Sequence, residues 1–164
     1  MKIKFTSLLL LLLCQKVSAA SFSDTVDDTV RFEVKKAPVE LSLKITPAEL
    51  TEKEYEDGKL VANATVSAKD GNAYHLAIRF SNTNSHQTTE DSGTKTILTG
   101  ESSGKPLPLY IKEEFLQSGE INGIQMSYVV KPTNSHTFDV VLAGRHIIYA
   151  DTYLLRMEGA IYNP

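Results

Sequence analysis

The stretch Thr29-Val30-Arg31-Phe32-Glu33-Val34 alternates polar and apolar side chains with a period of two. That pattern is typical of a β-strand that buries one face, because successive side chains of a strand point to opposite sides. The polar run Ser21–Asp28 precedes it, carries three aspartates and has little to hold it against a core. We therefore expect an end strand on a loose tether, which either pairs within its own domain or adds to the open sheet edge of another copy.

The first twenty residues have the features of a secretory signal. Lys2 and Lys4 give a positive start, Ser7–Cys14 is an apolar core dominated by leucine, and Val17–Ala20 supplies the small residues that a signal peptidase accepts. The apolar run is too short to span a bilayer. We expect residues 1–20 to be removed by cleavage after Ala20 and the remainder to be exported.

Charge and cysteine content exclude several classes of function. The chain has 17 basic and 20 acidic side chains, and removing residues 1–20 takes three lysines and no acid, which leaves 14 against 20, a net charge of −6. This acidic balance argues against nucleic acid or an anionic membrane as the main partner. The only cysteine, Cys14, leaves with the signal, so the exported part has no disulfide and depends on its core or on a partner for stability.

Short strands of the same alternating pattern follow along residues 37–164. They are expected at Val39–Ile45, Leu60–Ala68, Tyr74–Phe80, Thr94–Leu98, Leu107–Ile111, Ile124–Val130, Phe138–Leu142 and Tyr153–Ile161. The two strands on either side of Asp70-Gly71 are expected to form an antiparallel hairpin. Lys112–Gln117 is expected to make one helical turn ended by Ser118-Gly119. Seven or eight short strands with almost no helix predict an all-β sandwich.

The residues give no support for catalysis or for metal binding. The four histidines are scattered and lack the spacing of metal ligands, so exposed strand or loop positions are the better interpretation. They are His75, His86, His136 and His146. No serine has a nucleophile-elbow pattern, and Gly100–Pro106 is a poor phosphate loop because Pro106 stands where Ser or Thr is needed. We predict that the protein is not an enzyme and has no metal site and no cofactor.

Three stretches, taken together, resemble one family of pilus subunits. They are the opening strand with its proline break and second strand, Thr29–Pro47, the strand Thr137–Gly144, and the ending Ala150–Pro164, which places the last strand at the C-terminus. In order and position they are similar to Saf-type pilins of chaperone–usher fimbriae, within the broader group of thin, polyadhesive fibres that includes the Dr-type adhesins. The resemblance covers the two ends of the chain rather than Glu49–Ile121.

The resemblance implies an incomplete immunoglobulin-like β-sandwich, the pilin fold, which lacks its final strand and leaves an apolar groove open. In that family a periplasmic chaperone fills the groove first, and the N-terminal extension of the next subunit replaces it at the outer-membrane usher. Residues 21–36 would be this donor-strand extension and residues 37–164 the pilin domain. Val30, Phe32 and Val34 would enter the neighbour's groove, with Val26 as a fourth, although Asp28 on the same face departs from an all-apolar insert.

The sequence thus leads to the hypothesis of a structural and adhesive fimbrial subunit, exported through the periplasm to the cell surface. It would polymerise by donor-strand exchange with identical or related subunits, and a host-surface receptor would be a further partner. The polar loop Ser81–Gly93 is a minority candidate for receptor contact. The alternative is a self-contained secreted β-sandwich that binds a small ligand or carbohydrate, in which Thr29–Val34 is an ordinary first strand.

Overall fold

The computed structural model describes residues 38–82, 85–90, 93–112 and 116–164, which belong to a unit spanning Ala37–Pro164. These residues form strands joined by turns and loops. The strands are β1 (Leu41–Pro47), β2 (Lys53–Tyr55), β3 (Leu60–Ala68), β4 (His75–Phe80), β5 (Gln87–Thr89), β6 (Lys95–Thr99), β7 (Pro106–Ile111), β8 (Leu116–Ile121), β9 (Ile124–Val129), β10 (Ser135–Leu142), β11 (His146–Ile148) and β12 (Met157–Tyr162). Nowhere in the described ranges is there a helix long and apolar enough to cross a membrane.

The strands are arranged as two sheets and a small ribbon. A six-stranded sheet has the order β1-β3-β10-β7-β6-β5, and a four-stranded sheet has the order β12-β4-β9-β8. The ribbon pairs β2 with β11, and every pairing is antiparallel. The all-β sandwich predicted from the alternating pattern is confirmed.

The core lies between the two sheets and is built from the inward faces of their central strands. Each of these strands alternates, so that one face supplies the side chains between the sheets, although Ala77 and Val141 on the opposite faces of β4 and β10 are buried as well. The fully buried core side chains include Ala64 and Val66 of β3, Leu76, Ile78 and Phe80 of β4, and Phe138, Val140 and Leu142 of β10. The periodicity of the sequence therefore identified the buried face of each of these strands.

The hairpin expected across Asp70-Gly71 is wrong, because β3 and β4 lie in different sheets. Their apolar faces meet across the core, whereas the two strands of a hairpin would present these side chains on the same side of one sheet. The connection is held by Asp70, whose carboxylate accepts hydrogen bonds from the Asn72 backbone N–H (3.1 Å) and from the Tyr74 hydroxyl (2.6 Å). This side-chain bonding supports a wider loop than a two-residue hairpin turn, and the loop carries the chain from one sheet to the other.

The helical turn expected at Lys112–Gln117 is also wrong at its C-terminal end. Leu116 and Gln117 begin β8, and Ser118-Gly119 lies inside that strand. Residues 113–115 are outside the described ranges. A turn at Asn122-Gly123, with φ of 53° and 79°, pairs β8 with β9, and this pair of residues is the strongest hairpin signal in the region.

A candidate strand-binding groove

Two strands at neighbouring sheet edges have an unpaired side. β1 ends the six-stranded sheet and β12 ends the four-stranded sheet, and within the described residues no strand hydrogen-bonds to the outer side of either. The two strands nevertheless approach each other, with Cα atoms within 8 Å. An edge strand exposes a row of N–H and C=O groups that can pair with an added strand. The sandwich is therefore open along one side, between β1 and β12.

β1 and β12 run in opposite directions along this opening. Leu41 pairs with Ala68, and Tyr162 pairs with His75, so the start of β1 and the end of β12 both lie near the connection between β3 and β4. The end of β1 and the residues before β12 lie together at the other end, where Ile45 and Leu155 line the same cavity. A strand placed between them would be antiparallel to one edge and parallel to the other.

Partly exposed apolar side chains follow the opening. Leu41, Leu43 and Ile45 of β1 point toward the core but are only half-buried, while the side chains between them, such as Ser42 and Lys44, are exposed. Tyr153, Leu155 and Ile161, in and before β12, are half-buried in the same way. Large aliphatic side chains on the inner face of a closed sandwich would be fully covered. Their exposure here indicates a position that one more strand would cover.

At one end the opening deepens into a cavity of about 830 Å³. Apolar side chains make up its walls and floor, and three charged side chains, Glu52, Asp151 and Arg156, stand among its lining. The apolar lining includes Ile45 and Leu50 from the side of β1, Leu98, Leu107 and Leu109 from β6 and β7, and Leu155 from the segment before β12. The cavity is thus suited to apolar side chains and has a net acidic border.

One wall of the cavity is the irregular segment 149–156, which β-pairing does not hold. The buried side chain of Gln87 holds one end of it, because its amide Nε2 donates to the Arg156 carbonyl (2.9 Å) and its Oε1 accepts from the Arg156 N–H (2.8 Å). The Ser81 N–H also donates to the Arg156 carbonyl (3.1 Å). A side-chain amide here replaces the two hydrogen bonds that a neighbouring strand would make.

Asp151 holds the other part of the same wall. Its carboxylate accepts hydrogen bonds from the Ser102 N–H (3.1 Å), from the Ser103 N–H (2.7 Å) and hydroxyl (2.5 Å), and from the Thr152 N–H (2.7 Å). The Ser103 hydroxyl and these N–H groups hold the pKa of Asp151 well below its usual range. Asp151 therefore keeps its negative charge beside the cavity at any physiological pH.

The side chains predicted to insert into a groove, Val26, Val30, Phe32 and Val34, lie outside the described residues, and their role stays a prediction. The groove residues themselves were only partly visible in the sequence. The alternation of Val39–Ile45 and of the last strand predicted the two strands that flank the opening, whereas Gln87 and Asp151 lie in segments whose sequence has no strand pattern. Their hydrogen bonds join residues far apart in the chain, which spacing alone does not reveal.

Histidine side chains make hydrogen bonds and ring contacts within the domain. His75 Nδ1 hydrogen-bonds with the Val129 carbonyl (3.0 Å), His146 Nε2 hydrogen-bonds with the Pro106 carbonyl (2.9 Å), and His136 packs edge-on against Phe138. Across the described part of the chain, no three His, Cys, Asp or Glu side chains are grouped so that they could hold a metal ion.

Comparison with known proteins identifies the fold. No protein-family model matches the sequence, and no curated protein matches it significantly. Among solved structures, the Salmonella SafD adhesin matches with a TM-score of 0.60 and 16% identity, over 76% of this chain and 88% of that one. AggB, the minor subunit of Escherichia coli aggregative adherence fimbriae type I, matches with a TM-score of 0.57 and 14% identity, over 73% and 83%.

A further match is HdaB, the minor tip subunit of the E. coli Hda pilus, with a TM-score of 0.56, 17% identity and coverage of 74% of this chain and 82% of that one. All three matches are to adhesins or pilus subunits. The described domain therefore has the fold of chaperone–usher fimbrial subunits, as the resemblance in the sequence predicted.

Proposed function

We propose that the protein is a structural and adhesive fimbrial subunit that polymerises by donor-strand exchange and is displayed on the cell surface. The observation that carries the proposal is the pair of unpaired edges, β1 and β12, with a half-buried apolar surface between them. A strand from another chain would move the two edges apart to about 10 Å, two inter-strand spacings, and would hydrogen-bond to both, as in other cases of strand addition. The fold shared with pilus subunits supports the same function.

The donor is the segment Thr29–Val34 of the next subunit, with Val30, Phe32 and Val34 facing the groove. Burying three such side chains is worth roughly 1.5–3 kcal/mol each. Each hydrogen bond to an edge strand adds about 0.5–1.5 kcal/mol. Together these terms are comparable with the whole stability of a small domain, about 5–15 kcal/mol. An isolated subunit is therefore expected to be marginally stable.

Export requires the groove to be covered before assembly. A row of half-buried Leu and Ile side chains next to two unpaired edges would otherwise favour uncontrolled association. A periplasmic chaperone that lends a strand meets this need, and an outer-membrane usher is the place where one strand replaces the other. We expect both as partners, together with identical or related subunits in the fibre.

The proposal is tested by charge substitutions on the two faces of the donor strand. Phe32→Asp places a carboxylate in the apolar groove and should abolish polymers, because a buried unpaired charge is strongly unfavourable. Arg31→Asp, on the opposite face, should assemble like the original sequence. The readout is the ladder of polymers on an unheated SDS gel. Equal assembly by the two variants would contradict strand insertion.

A further inference from the structure

We propose that the cavity of about 830 Å³ between the end of β1 and segment 149–156 receives the aromatic side chain of Phe32 from a second copy of this chain. This placement would fix the register of the inserted strand. The inference rests on the proposed donor-strand function and adds to it which donor residue occupies which part of the groove.

The groove has an uneven depth. At its middle, Gly159 of β12 faces Val66, and a Cβ on that glycine would lie 3.2 Å from a Val66 methyl group. Because Val66 already fills the space between the sheets here, this part of the groove admits only a modest aliphatic side chain. Toward the end of β1 the groove is deeper, with Leu107 and Leu109 in its lining, and here it forms the cavity.

The segment Thr29–Val34 carries a single aromatic side chain, flanked at a spacing of two residues by valines. Phe32 matches the wide cavity, and the same register brings Val30 to the narrow middle beside Val66 and Val34 to the outer end of the cavity. A shift by two residues would press the aromatic ring onto the raised floor, where an added side chain has no room without displacing its neighbours. Shape thus favours one register over its neighbours.

Charge fixes the direction. Lys35 and Lys36 follow Val34, and their ammonium groups are poorly suited to the apolar groove, so this end of the segment must leave at the cavity mouth. There Glu52 and Asp151 face a single opposing charge, Arg156, which leaves the border acidic and complementary to the two lysines. In this direction Asp28 is placed at the other end of the groove, near Leu41 at the start of β1. This register leaves Val26 outside the groove.

The test measures binding of a synthetic peptide, Asp24–Ala37, labelled with a fluorophore. The acceptor is the chain from Ser21 onward carrying Phe32→Asp, so that its own segment does not compete, refolded from urea with the peptide present. We expect Phe32→Ala in the peptide to weaken binding by more than about 100-fold, from the cost of removing a buried aromatic side chain. Val26→Ala should change binding by less than about twofold. Equal binding of the Phe32→Ala and unmodified peptides would overturn the register.

A pair of complementary substitutions, one in the acceptor and one in the peptide, tests where the Phe32 ring binds. Ala62→Leu in the acceptor adds bulk to the cavity wall, and Asn63→Leu adds similar bulk to the opposite face of the same strand as a matched control. Ala62→Leu should weaken the unmodified peptide at least about tenfold and restore binding of the Phe32→Ala peptide, whereas Asn63→Leu should do neither. If Ala62→Leu restored binding of a Val34→Ala peptide and not of the Phe32→Ala peptide, the cavity would be assigned to Val34 and the proposal would be overturned.

If Ala62→Leu fails to fold, photo-cross-linking gives the answer on the acceptor without that change. A peptide with benzoylphenylalanine in place of Phe32 should form adducts at Leu107, Leu109 or Ile148. Adducts at Leu41 or Ile161 would overturn the register while leaving strand insertion intact. Failure of every peptide to bind, with an acceptor that folds alone, would contradict the donor-strand function itself.

Discussion

At the scale of single residues, the groove depends on polar side chains that hold its irregular wall. Gln87 and Asp151 do not belong to the strands that flank the opening, yet each fixes a part of segment 149–156 through two or more hydrogen bonds. A wall held in advance loses less conformational freedom when a strand arrives, and this favours binding. In the proposed assembly these polar residues would act by holding the wall of the groove in place.

Gln87→Ala should destabilise the domain. It removes the hydrogen-bond partner of the Arg156 N–H, while the Arg156 carbonyl keeps the Ser81 N–H, and an unsatisfied buried backbone group costs about 1–3 kcal/mol. The change in the free energy of unfolding is measured by urea denaturation of the chaperone-free, assembled protein. Thr88→Ala, at the exposed neighbouring position, serves as the control and should have almost no effect. A similar loss in both variants would show that Gln87 is only a strand residue.

Asp151→Asn should lower the melting temperature at neutral pH and matter less in acid. The folded protein holds the pKa of Asp151 below that of the unfolded chain, about 3.9, so its stabilisation is complete above that value. The stabilisation is lost as the pH falls through the folded-state pKa. The difference between the melting temperatures of the two proteins should therefore be smaller at pH 2–3 than at pH 7, without vanishing. Glu101→Gln, on the same turn, is the control, and a pH-independent difference would contradict this role.

At the scale of elements, alternation in the sequence was sufficient for the long strands and their buried faces. It failed where a strand is too short to show a period, as in β2, β5 and β11, each of three residues. Pairing was harder to predict than strand position. The Asp70-Gly71 turn gave no indication that β3 and β4 would separate into two sheets, because that choice depends on which faces meet across the core.

The same limit applies to the groove. The two edge strands were predicted, but the cavity between them is formed by β6, β7 and the segment before β12, which meet only in the folded domain. Sequence patterns indicate local periodicity and turns, whereas the formation of a cavity depends on packing between residues that are distant in the chain. The proposed donor segment differs from the cavity in this respect. Its apolar face can be predicted from the sequence, but the segment lies outside the described residues.

Gly159 provides an element-scale prediction about β12. A side chain there would point at Val66 from the middle of the strand, at a spacing tighter than an ordinary contact. Gly159→Val should therefore destabilise the domain by about 1–3 kcal/mol through overpacking and should also narrow the groove. Glu158→Gln, at the adjacent and partly exposed position, is expected to cost less, because it keeps one of the two oxygens that accept from Arg79 and Ser81 and adds no bulk to the core. Urea denaturation compares the two, and a larger loss in Glu158→Gln would contradict the packing argument.

At the scale of the whole molecule, the proposed function assigns folding and assembly to different segments. Deleting Ser21–Lys36 should leave the domain 37–164 as stable as before when a chaperone or donor peptide fills its groove, and should abolish polymers. A self-contained sandwich that binds a ligand would instead lose a structural strand and unfold more readily. Thermal melting of the truncated chain with and without donor peptide distinguishes these outcomes.

The proposed function depends above all on one property, that the isolated subunit is an incomplete sandwich. Size-exclusion chromatography with light scattering, on the chain from Ser21 onward purified from periplasm with and without a co-expressed fimbrial chaperone, measures it most directly. We expect a one-to-one complex with the chaperone, and heat-resistant polymers or no soluble protein without it. A stable, well-folded monomer obtained alone, whose groove neither accepts a donor peptide nor binds a chaperone, would contradict the account.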